Sequence, residues 1–227
     1  EIAQCLVGSE MCIRDSINYY LDEQGDFINL KEDGKEAFKE GELDTICESR
    51  ILFDAYEMTK DTRYLTAIDK TYTSLMNQPR VHGSNNFSHK KEYLNQIWLD
   101  GLYMYVSFYA RYAILYQNEE IWSIIKQQYE YIRNHMFDEN MQLYYHGYDS
   151  TKSIFWADQN TGCSKTFWLR SMGWYLVSLC DVLDYYPDGE NKEYLKQLLQ
   201  EAIDGILLYQ DNNCLLYTSP SPRDTER

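Results

Sequence analysis

The feature that most limits how this chain can fold is a pattern that occurs three times. A long polar loop leads into a helix that is apolar on nearly every face. A short turn follows, and a helix apolar on one face only runs back. The second copy is the clearest. Residues 96–117 (QIWLDGLYMYVSFYARYAILYQ) offer almost no polar face, so a helix there has to be buried. After the Asn118-Glu119 turn, Ile121, Ile124, Ile125, Tyr129 and Ile132 recur at helical steps on one face of residues 121–136. In the first copy Asp44 is placed to cap a segment carrying Ile46, Leu52, Phe53 and Tyr56 and ending near Lys60. Its return helix carries Tyr64, Leu65, Ile68, Tyr72, Leu75 and Met76, and Pro79 stops it. The third copy follows loop 137–165, which holds one short extended piece at 143–145. It runs apolar over about 166–186 to Pro187, then returns over about 191–209 through Leu195, Leu198, Leu199, Ile203 and Ile206.

Short turns make each pair an antiparallel hairpin, and stacked hairpins place one helix inside and one outside. The fold class expected is therefore all-α: a curved solenoid or part of a larger toroid. In either case the long loops gather on one face, at the N-terminal ends of the inner helices. Asp44, Asp100 and Arg170 each fall within about one turn of such an end, so three separate segments bring unusual polar residues to one rim.

Bulk properties remove several classes of function. A net charge of -15 leaves no basic stripe to neutralise phosphates, so nucleic acid is not an expected partner. No run approaches the roughly 18 unbroken apolar residues of a membrane span. The first residues lack the basic-then-apolar order of a signal peptide, which makes a cytoplasmic location the expectation and leaves the periplasm open. Cys5, Cys12, Cys47, Cys163, Cys180 and Cys214 show neither a CxxC spacing nor histidine partners, so no metal site and no disulfide framework is expected. Cys180 reads as a core thiol, Gly162 as a turn residue and Gly173 as a close-packing glycine. The 22 tyrosines and five tryptophans fit two readings: helix packing, or flat rings that stack on sugar faces.

The ends stand apart. Residues 1–16 and 214–227 have no helical period and read as translated sequencing-adapter sequence, or else as ordinary frayed termini. The domain expected is 17–213, a partial barrel with non-native tails.

Asp100 is the most pointed candidate for chemistry, because a carboxyl inside WLDGLYM is pushed toward its neutral form by burial. A raised carboxyl is what a general acid needs, while the plainer role is a helix-start carboxylate bonded to loop amides. His89, Lys90, His146 and Arg170 come from separate segments. They form either a seat for a carboxylate or ordinary surface pairing in an acidic chain. Trp168 and Trp174 lie six residues apart and cannot share one helix face, so one faces the loop and the other a cavity, or both are core.

Three blocks carry a family likeness: QPR…FSHKKEYLNQ (78–96), NQIWLDGLYM (95–104) and HGYD…WADQNTGCSKTFWLRSMGWY…DVLDYYP (146–187). They resemble the unsaturated rhamnogalacturonyl hydrolases of glycoside hydrolase family 105, close relatives of the unsaturated glucuronyl hydrolases. The resemblance implies an incomplete (α/α)6 barrel with Asp100 as catalytic acid. It also implies that Asp44, His89, Lys90, His146, Trp168, Arg170 and Trp174 bind substrate. Ser88 departs from the aromatic expected before the histidine. The implied substrate is an unsaturated uronide oligosaccharide from pectin, hydrated at its vinyl ether by one acid that returns as base, without metal or organic cofactor. A helical-repeat binding scaffold with no chemistry is the alternative from another class.

Overall fold

The computed structural model describes residue 17 and residues 19–28 and 38–212. The segments 1–16 and 214–227, read above as foreign, lie outside the described residues, as does 29–37 of the polar stretch before Gly41. Among the described residues seven helices follow Gly41: α1 (Asp44–Glu48), α2 (Ile51–Thr59), α3 (Thr62–Met76), α4 (Gly101–Tyr116), α5 (Glu120–Met136), α6 (Leu169–Tyr185) and α7 (Glu190–Leu207). They form the three expected hairpins, α1–α2 with α3, α4 with α5, and α6 with α7. The inner helix α4 lies between its counterparts, packed against α1 on one side and α6 on the other, and the return helices α5 and α7 touch outside. Side-by-side helical hairpins of this kind are the repeating unit of the (α/α)6 barrel.

The return helices form where the sequence marks them. Asp61 caps α3 by accepting the Arg63 amide at 2.9 Å, and Ile121, Ile125, Tyr129 and Ile132 of α5 are all buried. The core is aromatic as well as aliphatic. Tyr64, Tyr109, Tyr129, Tyr144 and Tyr175 are fully buried. Two of them keep their hydroxyls satisfied by donating, Tyr129 to Ser178 Oγ (3.0 Å) and Tyr144 to Glu201 Oε1 (2.6 Å). For these five rings the packing reading is the right one.

Five details depart from the sequence reading. The apolar run at 96 opens as a strand, not a helix: β1 (Gln96–Trp98) pairs antiparallel with β4 (Gly147–Asp149), in the register Ile97 to Tyr148 and Trp98 to Gly147. A short run rich in β-branched and aromatic residues suits either element, and the partner strand decides it. A second ribbon joins β2 (Phe137–Asp138) to β3 (Leu143–Tyr144), where an extended piece was expected. Asp44 does not cap its helix; Leu43 occupies that position in a helical conformation and Asp44 is the first helical residue, its carboxylate turned to other partners. The segment 44–60 also breaks at Ser49–Arg50. There the amides of Ser49 and Leu52 bond three residues back, to Ile46 and Ser49, and Arg50 Nε donates to the Cys47 carbonyl at 3.0 Å. Cys180 is exposed, because α6 buries only the face of Met172, Tyr175, Leu179 and Val182. Gly173 has open space around it instead of a close neighbour.

Gly205 is the close-packed glycine. A Cβ there would lie 1.9 Å from the backbone carbonyl oxygen of Gln142, whereas Gly162, with φ +87°, fills the expected turn role. Helix propensity alone predicts a gain of about 0.5–1 kcal/mol for any glycine-to-alanine change in a helix interior. Gly173→Ala in α6 should show that gain. Gly205→Ala in α7 should instead lose about 1–3 kcal/mol, because backbone cannot yield as a side-chain tip can. Urea unfolding of the two variants beside the parent chain checks the opposite signs.

Candidate functional site

The β1–β4 ribbon and the N-terminal end of α4 bring the rim together. β1 delivers Trp98 and then Asp100, which stands in the capping position of α4 but makes no side-chain capping bond. β4 is preceded by His146, whose carbonyl accepts the Leu99 amide at 3.0 Å. The loop before β1 carries His89 and Lys90, fixed because the Leu43 amide donates to the His89 carbonyl (3.1 Å) and the His89 amide to the Gln96 carbonyl (3.0 Å). Ser88, the residue that departs from the family pattern, is fully buried, and its Oγ accepts the Asn95 amide at 3.1 Å.

Asp100 is half-buried as a residue, but its Oδ1 is shut off from solvent and has no hydrogen-bond partner. Loss of water pushes its carboxyl above the ordinary aspartate range and Asp44 adds to the push, while His89 and His146 pull the other way. His89 is buried, and burial lowers its pKa against the pull of Asp100 and Asp44. Its Nε2 lies 3.4 Å from Asp44 Oδ1. Its Nδ1 is a second buried atom without a partner, and a Cβ on Gly101 would come within 2.9 Å of it. Glycine directly after Asp100 is therefore what lets the imidazole lie against the start of α4. His146 is also lowered by burial; its Nδ1 meets the Thr166 carbonyl at 2.8 Å. A carbonyl only accepts, so Nδ1 carries the proton and Nε2 is left as an acceptor.

Aromatic rings connect these groups. Trp98 has its ring centre 6.2 Å from that of His89, 6.1 Å from His146 and 5.5 Å from Trp156. His146 is 6.2 Å from Trp168, and the Arg170 guanidinium sits 4.2 Å over the Trp168 ring. Trp168 is extended and ends the loop, so it and Trp174 do face different ways. Trp174 packs on Tyr103, ring centres 4.5 Å apart, one turn into α4 from Asp100. The expected seat of cations is changed in one respect. Lys90 is already held 3.3 Å from both Glu42 and Asp44, so its charge is compensated within the chain. Arg170 is exposed and, among the described residues, has no carboxylate partner. His89 also lines a small hollow of about 10 Å³ with Leu43, Phe87, Ile97, Trp98 and Gly101, far below the ~300 Å³ at which ligand pockets begin.

Comparison with known proteins identifies the family and the fold. The profile of Glycosyl Hydrolase Family 88 matches residues 13–226. The chain belongs to that family. Among solved structures it resembles a glycoside hydrolase of family 105 from C. acetobutylicum ATCC 824, with 31% identity and a TM-score of 0.80 over 88% of this chain and 54% of that one. A possible family 105 member from Klebsiella pneumoniae subsp. pneumoniae MGH 78578 shares the fold, with 17% identity and a TM-score of 0.68 over 95% of this chain and 71% of that one. Protein Atu3128 of Agrobacterium fabrum is 34% identical over 68 residues, 30% of this chain and 29% of the relative. The chain thus spans about half the length of the C. acetobutylicum protein and under a third of the curated relative.

Two features of this family 88 rim were not singled out from the sequence. Trp98 is its central ring, and the signal was available: Trp98 and Asp100 are two apart, the spacing that puts side chains on one side of an extended segment. Arg50 is the other. It donates to Tyr103 Oη (2.8 Å) and Asp181 (3.1 Å) and lies 4.4 Å over the Tyr103 ring, tying the α1–α2 break to α4 and α6 beneath Trp174. Nothing local in the sequence announces such a bridge.

The raised carboxyl has a consequence for stability. A carboxyl whose folded pKa lies above its unfolded one contributes fully below the ordinary aspartate range, and that contribution is lost as pH rises through the folded value. Asp100→Asn should remove this part of the pH dependence. Urea midpoints at stepped pH should fall more steeply in the parent than in the variant over that window; equal slopes would mean that Asp100 titrates normally.

Proposed function

We propose that this family 88 domain hydrolyses terminal 4,5-unsaturated uronyl residues of oligosaccharides, with Asp100 as the proton donor. The observation that carries the reading is the Asp100 Oδ1, buried, unpartnered and pushed by desolvation toward its neutral form near His89 and His146. An unsaturated uronyl ring is a vinyl ether and needs a proton on carbon before it needs anything else. Protonation of C4 by Asp100 gives oxocarbenium character at C5. The resulting carboxylate takes a proton from the water that adds there, which restores the acid. The hemiketal then opens and releases the rest of the oligosaccharide. Because no leaving group is displaced at the anomeric carbon, the paired carboxylates of ordinary glycosidases are not required.

The other residues take supporting roles in this reading. Arg170, unpaired and over Trp168, grips the uronate carboxylate. Trp168 and Trp174 offer stacking faces, and His146 offers Nε2 as an acceptor for a sugar hydroxyl. Asp44 and Lys90 hold His89 beside the acid, and Asp44 keeps the acid's pKa up. The likeness to family 105 favours an unsaturated galacturonyl residue on rhamnogalacturonan. The vinyl ether that Asp100 addresses is the same in unsaturated glucuronyl fragments of glycosaminoglycans or gellan, so those are the comparison substrates.

Asp100→Asn should keep binding of the unsaturated disaccharide within about two-fold and lower turnover by at least about 10²-fold. Calorimetric titration reads the first, and loss of the near-ultraviolet absorbance of the conjugated alkene reads the second. Near-parental turnover in the variant would remove Asp100 from the chemistry. Turnover of the glucuronyl substrates in preference to the rhamnogalacturonan disaccharide would reassign the sugar and leave the acid in place.

A further inference from the structure

The β1–β4 ribbon has one end at Asp100 and another that points away from it. Two loops leave that far end side by side. The first, residues 90–95, starts at Lys90 with a turn in which the Tyr93 amide donates to the Lys90 carbonyl at 2.9 Å. The second, residues 150–156, stays joined to the first because the Ser150 amide donates to the Asn95 carbonyl at 3.0 Å. A single carboxylate fixes the second loop. Asp149, 2% exposed, accepts the amides of Thr151 (3.1 Å), Ser153 (2.9 Å) and Ile154 (3.0 Å) and the Thr151 hydroxyl (2.8 Å). Burial alone would push Asp149 up, but these donors outweigh it and hold the carboxyl below its usual range.

The residue after Ile154 is therefore held in place, and it is Phe155, 87% exposed. Its neighbour Trp156 turns inward, near enough that a Cβ on Gly147 would lie 3.3 Å from the indole, and reaches Trp98. On the joined loop Tyr93 and Leu94 are 43% and 57% exposed. A lone exposed apolar residue needs no explanation. Here two aromatic rings and a leucine stand on two locked, connected loops, one beside Lys90 and one beside Trp156. Three residues are too few for a protein interface, which takes about 20–30 per side. Lys91, Glu92, Thr151, Lys152 and Ser153 surround them with exposed polar groups, the mixture that suits the face and hydroxyls of a sugar. From Asp100 back to Gln96 the chain covers roughly 13 Å at strand spacing, so this surface meets an oligosaccharide only beyond its first sugar.

We propose that Tyr93 and Phe155 form a stacking platform for the sugars that follow the one held at Asp100, and that the platform makes this chain favour longer oligosaccharides over the disaccharide. The inference rests on the reading of Asp100 given above.

The test is calorimetric titration of the full chain with unsaturated rhamnogalacturonan di-, tetra- and hexasaccharides. Binding should tighten with length in the parent. Phe155→Ala and Tyr93→Ala should each weaken the hexasaccharide about five- to ten-fold and leave the disaccharide unchanged, whereas Phe155→Trp should retain the gain. Both positions are solvent-exposed, so the variants keep the fold, and circular dichroism verifies it. Disaccharide binding with no gain on lengthening would overturn the platform alone. Failure of the parent to bind any of the three would overturn the Asp100 reading and the platform with it. A lower sedimentation coefficient for Phe155→Ala would mark the patch as a contact between copies and overturn the sugar assignment.

Discussion

The rim depends on one carboxyl held out of water. A charged residue at the start of a helix is ordinarily welcome, since the N-terminal end of the dipole favours an anion by about 0.3–1 kcal/mol. Asp100 stands at such a start, yet its side chain makes no capping bond and its Oδ1 finds no partner. Leaving a polar atom buried and unpaired costs about 1–3 kcal/mol, which exceeds the dipole contribution and agrees in sign with the upward pKa shift. The cost is sustained because what surrounds Asp100 is rigid and apolar: Leu99 and Leu102 on either side are buried, and the strand that precedes it is locked to β4. Strain of this kind persists where surrounding packing over-determines it.

Two independent tethers maintain that enclosure. The upper one is the ribbon, which sets Trp98 between both histidines and fixes the loop of His89 through the Gln96 carbonyl. The lower one is Arg50, whose donors are shared among the Cys47 carbonyl, Tyr103 and Asp181, so that the three inner helical segments are fastened one turn below the acid. Arg suits this junction, because its planar fork can serve three partners and stack on the Tyr103 ring at once. The break at Ser49–Arg50, which interrupts the first inner helix, is what points the side chain toward the other two.

How much of this was legible follows from which signals are local. Hairpin order and the return helices come from periodicity and turn residues within a short stretch, and they were readable; the cap that Asp61 supplies to α3 was not singled out. The arrival of Asp44, Asp100 and Arg170 at helix starts followed from hairpin topology. The strand at Gln96–Trp98 was hidden, because its identity depends on Gly147–Asp149, some fifty residues further on. Cys180 and Gly173 were misjudged for one shared reason: an apolar run does not say which side of its helix has a neighbour, and α6 leaves Val177 and Cys180 uncovered. Gly205 lies in an ordinary amphipathic stretch, and only the approach of the Gln142 backbone makes it indispensable. The tyrosines were ambiguous because the same ring suits a core or a sugar.

The histidines show why the pieces have to be read together. An imidazolium next to Asp100 would pull its proton off and end its use as an acid near neutrality. The same enclosure that raises Asp100 lowers His89 and His146, so burial acts on both partners in the direction that leaves the carboxyl protonated and the rings neutral. Asp44 strengthens the first effect and moderates the second, since it raises Asp100 and also raises His89. Lys90 limits that moderation by sitting 3.3 Å from Asp44 and Glu42 and compensating their charge. Arg170, which has no carboxylate partner among the described residues, lies out in solvent over Trp168, whose ring centre is 6.2 Å from that of His146. A cation placed there can attract an anionic ligand to the rim of an otherwise acidic chain.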